Sequence, residues 1–287
     1  MVTLSANVLE PFARFTRYNS PYPAHDAGTA VDLYPETAVA PSPVAGTVVE
    51  ARTVACPSQP YAADHDHLIV VDTGAHLARI LHVYPDVAPG DEVAVGEPLG
   101  ETVRSGYFAP WVDNHVHLGF RERDQNAVRA TGSLPLSLDV PLEAVPWDGT
   151  GTVVETGDTY AVLDAPAHPD PGAVYAGIAD DSGDFVLDGG MTHYDWGGRL
   201  DTDPAVRRAR ADGGDGTDDP ETPVSFLGRT VGHAQSEPVR WDDVAVLVDG
   251  DPIYGLSFFL GRDALYVKLV DPGHGFAVGD DVVVRLG

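Results

Sequence analysis

Apolar residues in this chain almost never recur at helical spacing. They come in short runs or alternate with polar residues, and Gly, Pro, Asp and Asn bound the runs. Period-two alternation suits a half-buried strand, and a short continuous run suits a fully buried one, so the pattern restricts the chain to β-structure. It predicts strands at 46–52, 68–72, 78–83, 115–121, 152–155, 160–163, 245–248, 253–260, 264–269 and 281–286. Asp249-Gly250 lies between two of these runs and has the composition of a two-residue hairpin turn, since both residues tolerate the positive φ angles such a turn requires. With 287 residues, 43% of them hydrophobic, the chain is long enough to bury a substantial core.

The runs fall into two groups. Residues 134–149, LPLSLDVPLEAVPWDG, read as an extended connector punctuated by proline, which divides the chain into 1–135 and 136–287. Residues 166–208 hold many turn formers and little pattern. The acidic, Gly/Pro-rich stretch 201–223, DTDPAVRRARADGGDGTDDPETP, is expected to be a mobile surface loop. One echo links the halves. Gly46-Thr-Val-Val-Glu50 recurs as Gly151-Thr-Val-Val-Glu155, and Gly90-Asp-Glu-Val93 has a weaker counterpart in Gly279-Asp-Asp-Val282. Two readings stand: a related β-sandwich plan in both halves, or unrelated strands of common composition.

The charge balance is extreme, with 44 acidic residues against 17 basic ones and a net charge of -27. Lys268 is the sole lysine, and the acids are spread along the chain instead of forming one tail. Such a surface is repelled by nucleic acids and anionic membranes, so neither is expected as a partner. It resembles the surfaces of proteins from salt-loving archaea, where molar salt screens repulsion over about 3 Å. Cys56 is the single cysteine, which excludes an intrachain disulfide and a cysteine-based zinc site. The opening MVTLSANVLEPFARF has no export-signal pattern, and no apolar run reaches the length of about 18 residues needed to span a bilayer. A cytoplasmic location is expected.

Chemistry concentrates where His and Asp sit at the edges of apolar runs. The segments are His25-Asp-Ala-Gly-Thr-Ala-Val-Asp32-Leu-Tyr, Ile80-Leu-His82-Val-Tyr and Asn114-His115-Val-His117-Leu-Gly-Phe-Arg121. His115 and His117 are two apart, so on a strand they point to one face. Two imidazoles beside a third and a carboxylate supply the nitrogen and oxygen ligands of a zinc site with an open position for water.

The order of these pieces resembles that of the LytM/lysostaphin-like zinc metallopeptidases. Five elements occur in sequence. They are His25…Gly28…Asp32-Leu-Tyr-Pro, Ala40-Pro-Ser-Pro-Val-Ala-Gly46-Thr-Val, and Leu68-Ile-Val-Val-Asp72 with Ile80-Leu-His82-Val-Tyr. Then follow Val87-Ala-Pro-Gly90-Asp-Glu-Val93-Ala-Val-Gly96-Glu-Pro-Leu-Gly100 and His115-Val-His117-Leu-Gly-Phe-Arg121. The resemblance covers about residues 20–125 and implies an all-β fold, an antiparallel β-sandwich of the LytM/barrel-sandwich-hybrid type, with a second β-rich half outside it. It implies Zn2+ as cofactor, held by His25, Asp32 and His117, with His115 and His82 as catalytic residues flanking the water and the oxyanion. The implied activity is hydrolysis of an amide bond. The family's familiar substrate is the cross-bridge peptide of bacterial peptidoglycan, but a chain without an export signal points to another peptide or a small amide. His25 and Asp32 are seven apart where the family usually has four, and Asp26 stands in reserve for the first ligand.

Two other readings compete. One is a catalytically inactive metal-binding or interaction module of the same fold. The other is a lipoyl-type carrier, which the Gly90–Gly100 hairpin also resembles; a carrier needs a lysine at a hairpin tip, and Lys268 sits in an apolar run instead. Among the remaining polar residues, His65 and His67 in Ala63-Asp-His-Asp-His67 read as a solvated loop, and Cys56 as a small apolar residue. Met191-Thr-His193-Tyr-Asp-Trp-Gly-Gly198 reads as a loop packed by its own aromatics, with a substrate wall as the alternative.

Overall fold

Leu68, Ile69, Val70 and Val71 are consecutive, and all four are buried. Successive side chains of a strand point to opposite faces, so this strand is covered on both. In the computed structural model, which describes residues 1–212 and 220–287 and the side chains outside 210–212, it forms the middle of a sheet. Asp66–Asp72 pairs antiparallel with Gly46–Val54 on one side and Leu77–Leu81 on the other. Leu77–Leu81 continues to Val116–Arg121, and that strand to Val31–Tyr34, both antiparallel. Glu92–Val93 closes the outer edge of Gly46–Val54. A small second sheet runs in the order Val39–Pro41, Pro98–Thr102, Val83–Pro85.

These strands belong to the first of two compact units, residues 1–15 with 29–136; the second comprises 16–28 with 137–287. The second is built on a twelve-stranded sheet. Its core buries Trp147, Leu187, Met191, Phe226, Leu256, Phe258, Val267 and Leu269. Each such side chain removed from water contributes roughly 1.5–3 kcal/mol. The protein is therefore all-β, with antiparallel sheets; Leu142–Val145 and Tyr175–Ile178 form a parallel exception. Asp249 and Gly250 adopt φ of 53° and 97° and join the paired strands Val246–Val248 and Asp251–Ile253, the hairpin their composition predicts. Among the described residues no helix is long and apolar enough to cross a membrane.

Two sequence expectations need correction. Residues 166–208 are not patternless connection, since they carry strands Tyr175–Ile178, Phe185–Met191 and Trp196–Asp201. Glycines hide the last two from a propensity reading. A Cβ on Gly197 would lie 2.2 Å from the Trp241 ring, and one on Gly198 2.1 Å from the Tyr18 ring, so these glycines make room for aromatics stacked on the sheet. Met191–Gly198 is accordingly the tip of a hairpin, two strand ends joined by a turn at 192–195, with the His193 and Tyr194 rings 4.5 Å apart. The stretch 201–223 holds a helix, Pro204–Asp212, anchored by the buried Arg207, whose guanidinium donates to the carbonyls of Leu138, Val140 and Asp201. The expected loop ends in a strand, Thr222–Phe226, and its residues 213–219 lie outside the described residues.

The sequence echo is a structural one. Gly46 faces Val93 and Thr47 faces Glu92; Gly151 faces Val282 and Thr152 faces Asp281. The threonine hydroxyl donates to the facing carboxylate in both, at 2.6 Å and 2.9 Å. A bulge falls between Val48 and Glu50 in one copy and between Val153 and Glu155 in the other. The third strands agree too, with Leu68 opposite Leu81 and Tyr160 opposite Val270. From Leu81 to Gly90 is nine positions, and from Val270 to Gly279 again nine. Shared composition does not fix a bulge, a register and a connection length together, so the reading as unrelated strands is set aside. Lys268 lies within the third strand of the second copy. It is buried, with Nζ 3.9 Å from the Tyr160 ring centre, which removes the carrier reading.

Candidate metal centre

Asp32 and His117 are direct partners across the antiparallel ladder of Val31–Tyr34 and Val116–Arg121. Directly opposed residues project to the same face. His117 Nδ1 lies 2.9 Å from Asp32 Oδ1. A tetrahedral zinc with bonds of about 2.0–2.2 Å has ligand–ligand edges of about 3.3 Å, so this pair stands near chelating separation. Each of His25, Asp32 and His117 offers one ligand atom, and the three atoms lie within 4.8 Å of one another. His25 and Asp32 are buried, while His117 is half-buried and leaves the group open on its side. Asp26, the reserve ligand, is outside the group.

His25 sits on a single helical turn, Pro23–Asp26, followed by Gly28 at φ 62°. Gly28 N donates to His25 O, and a Cβ at Gly28 would approach Arg17 Nη2 to 2.9 Å. The chain thus folds back through a position that favours glycine, which accommodates the seven-residue spacing. His25 Nδ1–H donates to Arg17 O at 2.7 Å, leaving Nε2 as the lone-pair nitrogen. An imidazole fixed by a carbonyl on its far nitrogen is the usual arrangement of a metal-ligating histidine.

The Arg17 end of this arm is held by Asp188. Its carboxylate accepts from the Thr16 hydroxyl and, at 2.7 Å, from Arg17 N. Burial pushes the Asp188 carboxyl up to about 6 against the pull of those bonds and of Arg17. Because the folded value lies above the ordinary 3.8, the associated stability is present below about pH 4 and lost as pH rises to about 6. In Asp188→Asn that loss disappears. Wild-type stability measured relative to the variant by urea unfolding is expected to fall by on the order of 3 kcal/mol between pH 4 and 7. A difference that does not change with pH would show that Asp188 does not titrate in this range.

His115 packs between the Phe108 ring, stacked at 4.3 Å, and Tyr34 at 5.1 Å. Its Nδ1–H donates to Asp113 O. Burial lowers its pKa to about 4, against the attraction of Asp32. The neutral ring therefore has no proton on Nε2, which lies 3.4 Å from Asp32 Oδ2. Two acceptors facing one another at that distance call for a proton donor that bridges them, which a water molecule supplies. Together with the N, O, N donor set, this fits a zinc ion with water beside it.

His82 completes the cluster, with its ring 5.3 Å from His115 and 5.7 Å from His117. The sequence reading passed over the groups that hold it. Asp66 is not in a solvated loop; it is fully buried, as His67 nearly is, and the exposed part of the segment ends at His65. Its carboxylate accepts from His82 Nδ1–H at 2.6 Å, from Ser105 Oγ at 2.8 Å and from His67 N at 2.7 Å. Burial raises the Asp66 carboxyl, but the His82, Ser105 and His67 bonds outweigh that effect and hold it below the usual carboxylate range. The available signal was an acid at the first position of an apolar run. Phe108, whose ring edge meets His82 at 4.7 Å, carried no signal in sequence.

No curated protein matches the chain. Among solved structures there is a likeness to the NMR solution structure of lysostaphin, with 15% identity over 90% of each chain and a TM-score of 0.28, a level that leaves fold and function to be argued from the chain's own geometry. Family comparison is more direct, matching an N-terminal domain over residues 3–138 and a C-terminal domain over 143–287. The chain belongs to the family described as "Domain of unknown function (DUF8155)" and spans both of its domains.

Proposed function

We propose that the protein is a zinc-dependent hydrolase of amide bonds acting on a peptide or a small amide. The observation that carries this reading is the register that sets Asp32 opposite His117, with His115 and His82 packed against the pair. A zinc ion held by His25, Asp32 and His117 would polarise the scissile carbonyl and acidify a water molecule. The protein's own groups account for the rest. The lone-pair Nε2 of His115 is placed to take a proton from the attacking water and deliver it to the leaving nitrogen. His82, on the other side of the cluster, gives its Nδ1–H to Asp66, so its lone-pair Nε2 is placed to accept a hydrogen bond from the attacking water and orient it. Phe108 and Tyr34 exclude solvent from one side of His115, which strengthens these interactions.

The test is metal analysis of the purified full chain together with a screen of peptide and acyl-amide substrates. One zinc per chain is expected, with chelator-sensitive hydrolysis that returns on adding zinc. A protein that takes up no zinc when the metal is supplied would end this reading, and stoichiometric zinc without hydrolysis across the screen would favour an inactive module.

A further inference from the structure

His82 occupies a place where a side chain is costly. Its backbone φ is 69°, in the left-handed region, and it breaks the line between strands Leu77–Leu81 and Val83–Pro85. Its backbone is tied on both sides, with His82 N donating to His67 O at 3.3 Å and Val103 N donating to His82 O at 2.7 Å. Such a conformation persists in a non-glycine residue when the surroundings over-determine it, and it clusters at functional sites. The side chain is equally constrained. Asp66 Oδ2 takes its Nδ1–H, and the Phe108 and Tyr107 rings pack on it at 4.7 Å and 6.3 Å.

The Asp66 carboxylate is itself fully committed. Three donors converge on it, one of them a backbone amide that cannot turn away. We infer that Asp66 is the positioning residue of His82: it fixes the imidazole as the Nδ1–H tautomer and aims the opposite ring nitrogen, Nε2, into the His115–His117 cluster. Its relevance to turnover rests on the hydrolase reading above; its hold on the His82 tautomer does not. A peg that merely filled space would leave the tautomer open. An acceptor-only carboxylate beside Nδ1 does not, because the competing tautomer would set a nitrogen lone pair against an oxygen lone pair at 2.6 Å.

Ser105 is part of the same device. It follows the strand Pro98–Thr102, in a segment where Arg104 donates to the carbonyls of Ala109, Pro110 and Val112 and where Phe108 N returns to Ser105 O. One loop thus delivers both the second donor to Asp66 and the Phe108 ring that packs against His82 and His115.

The test compares the full-length zinc-loaded protein with Asp66→Asn. In the variant the His67 amide still requires an acceptor, so the asparagine oxygen turns to it and the NH2 group faces His82 Nδ1. His82 must then hold its proton on Nε2. Long-range 1H–15N correlation spectra of 15N-histidine-labelled protein, with the His82 signal assigned by its loss in His82→Gln, report the tautomer directly. The expected result is Nδ1–H in the wild type and Nε2–H in Asp66→Asn, with zinc content unchanged. Where a hydrolysed substrate is in hand, kcat should fall by on the order of 10²-fold with KM little altered. An Nε2–H wild type, an unchanged tautomer in the variant, or an inverted tautomer with kcat intact would each overturn the assignment. If Asp66→Asn fails to fold, the wild-type tautomer still decides, and Ser105→Ala, which spares the His82 bond, should preserve it. Absence of hydrolysis in a zinc-loaded wild type would end the hydrolase reading while the tautomer result stood.

Discussion

His117→Ala is expected to leave the protein without zinc and without turnover, whereas His115→Ala should keep its zinc and lose turnover by on the order of 10²- to 10⁴-fold. The two histidines are two positions apart, so only their surroundings separate the roles. His117 is the ladder partner of Asp32, and its Nδ1 stands at near-chelating distance from the carboxylate. Removing it would take away one of the three proposed ligands, and a site reduced to two binds zinc far more weakly. His115 lies just before that strand, enclosed by aromatic rings, with Nδ1 committed to Asp113 O. Its truncation opens a cavity beside Phe108 and costs some stability, but it leaves the ligand set intact. Metal content by mass spectrometry, measured beside a thermal melt to establish folding, separates the outcomes. Equal zinc loss in the two variants would refute the division of labour within the H-x-H.

That His115 and His117 share a face was legible in sequence because a strand has a fixed period, whereas the choice of Asp32 and His117 as partners came with the resemblance in motif order. The hairpin at Asp249-Gly250 was legible for a related reason, since few residues accept two successive positive φ angles. What escaped reading was chemistry that depends on the third dimension. Asp66 lies in a run of His and Asp that looks solvated, and only the strand pairing that sets His67 against His82 shows that it faces inward. The glycine-rich strands of the second unit failed for the opposite reason. Their propensity is poor, yet Tyr18 and Trp241 fill the space the missing side chains leave, so tertiary packing overrides the local preference.

The repeated module sharpens the contrast between the units. Matching the third strands through the nine-position connection places Asp271 where the first copy has His82. The second copy therefore keeps the register, bulge and threonine–carboxylate bond but not that histidine. The sheet is the physical solution common to both copies, and the proposed metal chemistry would be an addition to it at the edges of the strands, as expected when function is grafted on a fold.

Thermal stability should rise steadily with sodium or potassium chloride up to molar concentrations. The net charge is -27, and the cations that oppose the carboxylates are fewer on the surface than the composition suggests. Arg17, Arg79, Arg121, Arg207 and Lys268 are buried, which takes five of the 17 basic residues out of the exterior. Several exposed pairs do form, such as Arg123 with Asp72 and Arg52 with Glu50, but each is worth little on a surface where carboxylates outnumber cations. Salt shortens the reach of the remaining repulsion from about 10 Å at 0.1 M to about 3 Å at 1 M. If that relieves even ~0.1 kcal/mol per carboxylate, 44 carboxylates return about 4 kcal/mol, or a rise in Tm of about 10 °C for a chain of this size. Zinc bound at the proposed site would add a second dependence, since a ligand that binds only the folded state stabilises it by mass action. In dilute salt, where the folded state has least in reserve, a chelator should lower Tm further than it does at high salt. A melting series across chloride concentration, with and without chelator, reads both effects. A Tm independent of salt would show that the acidity is not an adaptation to a salty solvent, and a basic ligand or protein partner would become the better explanation for the carboxylates.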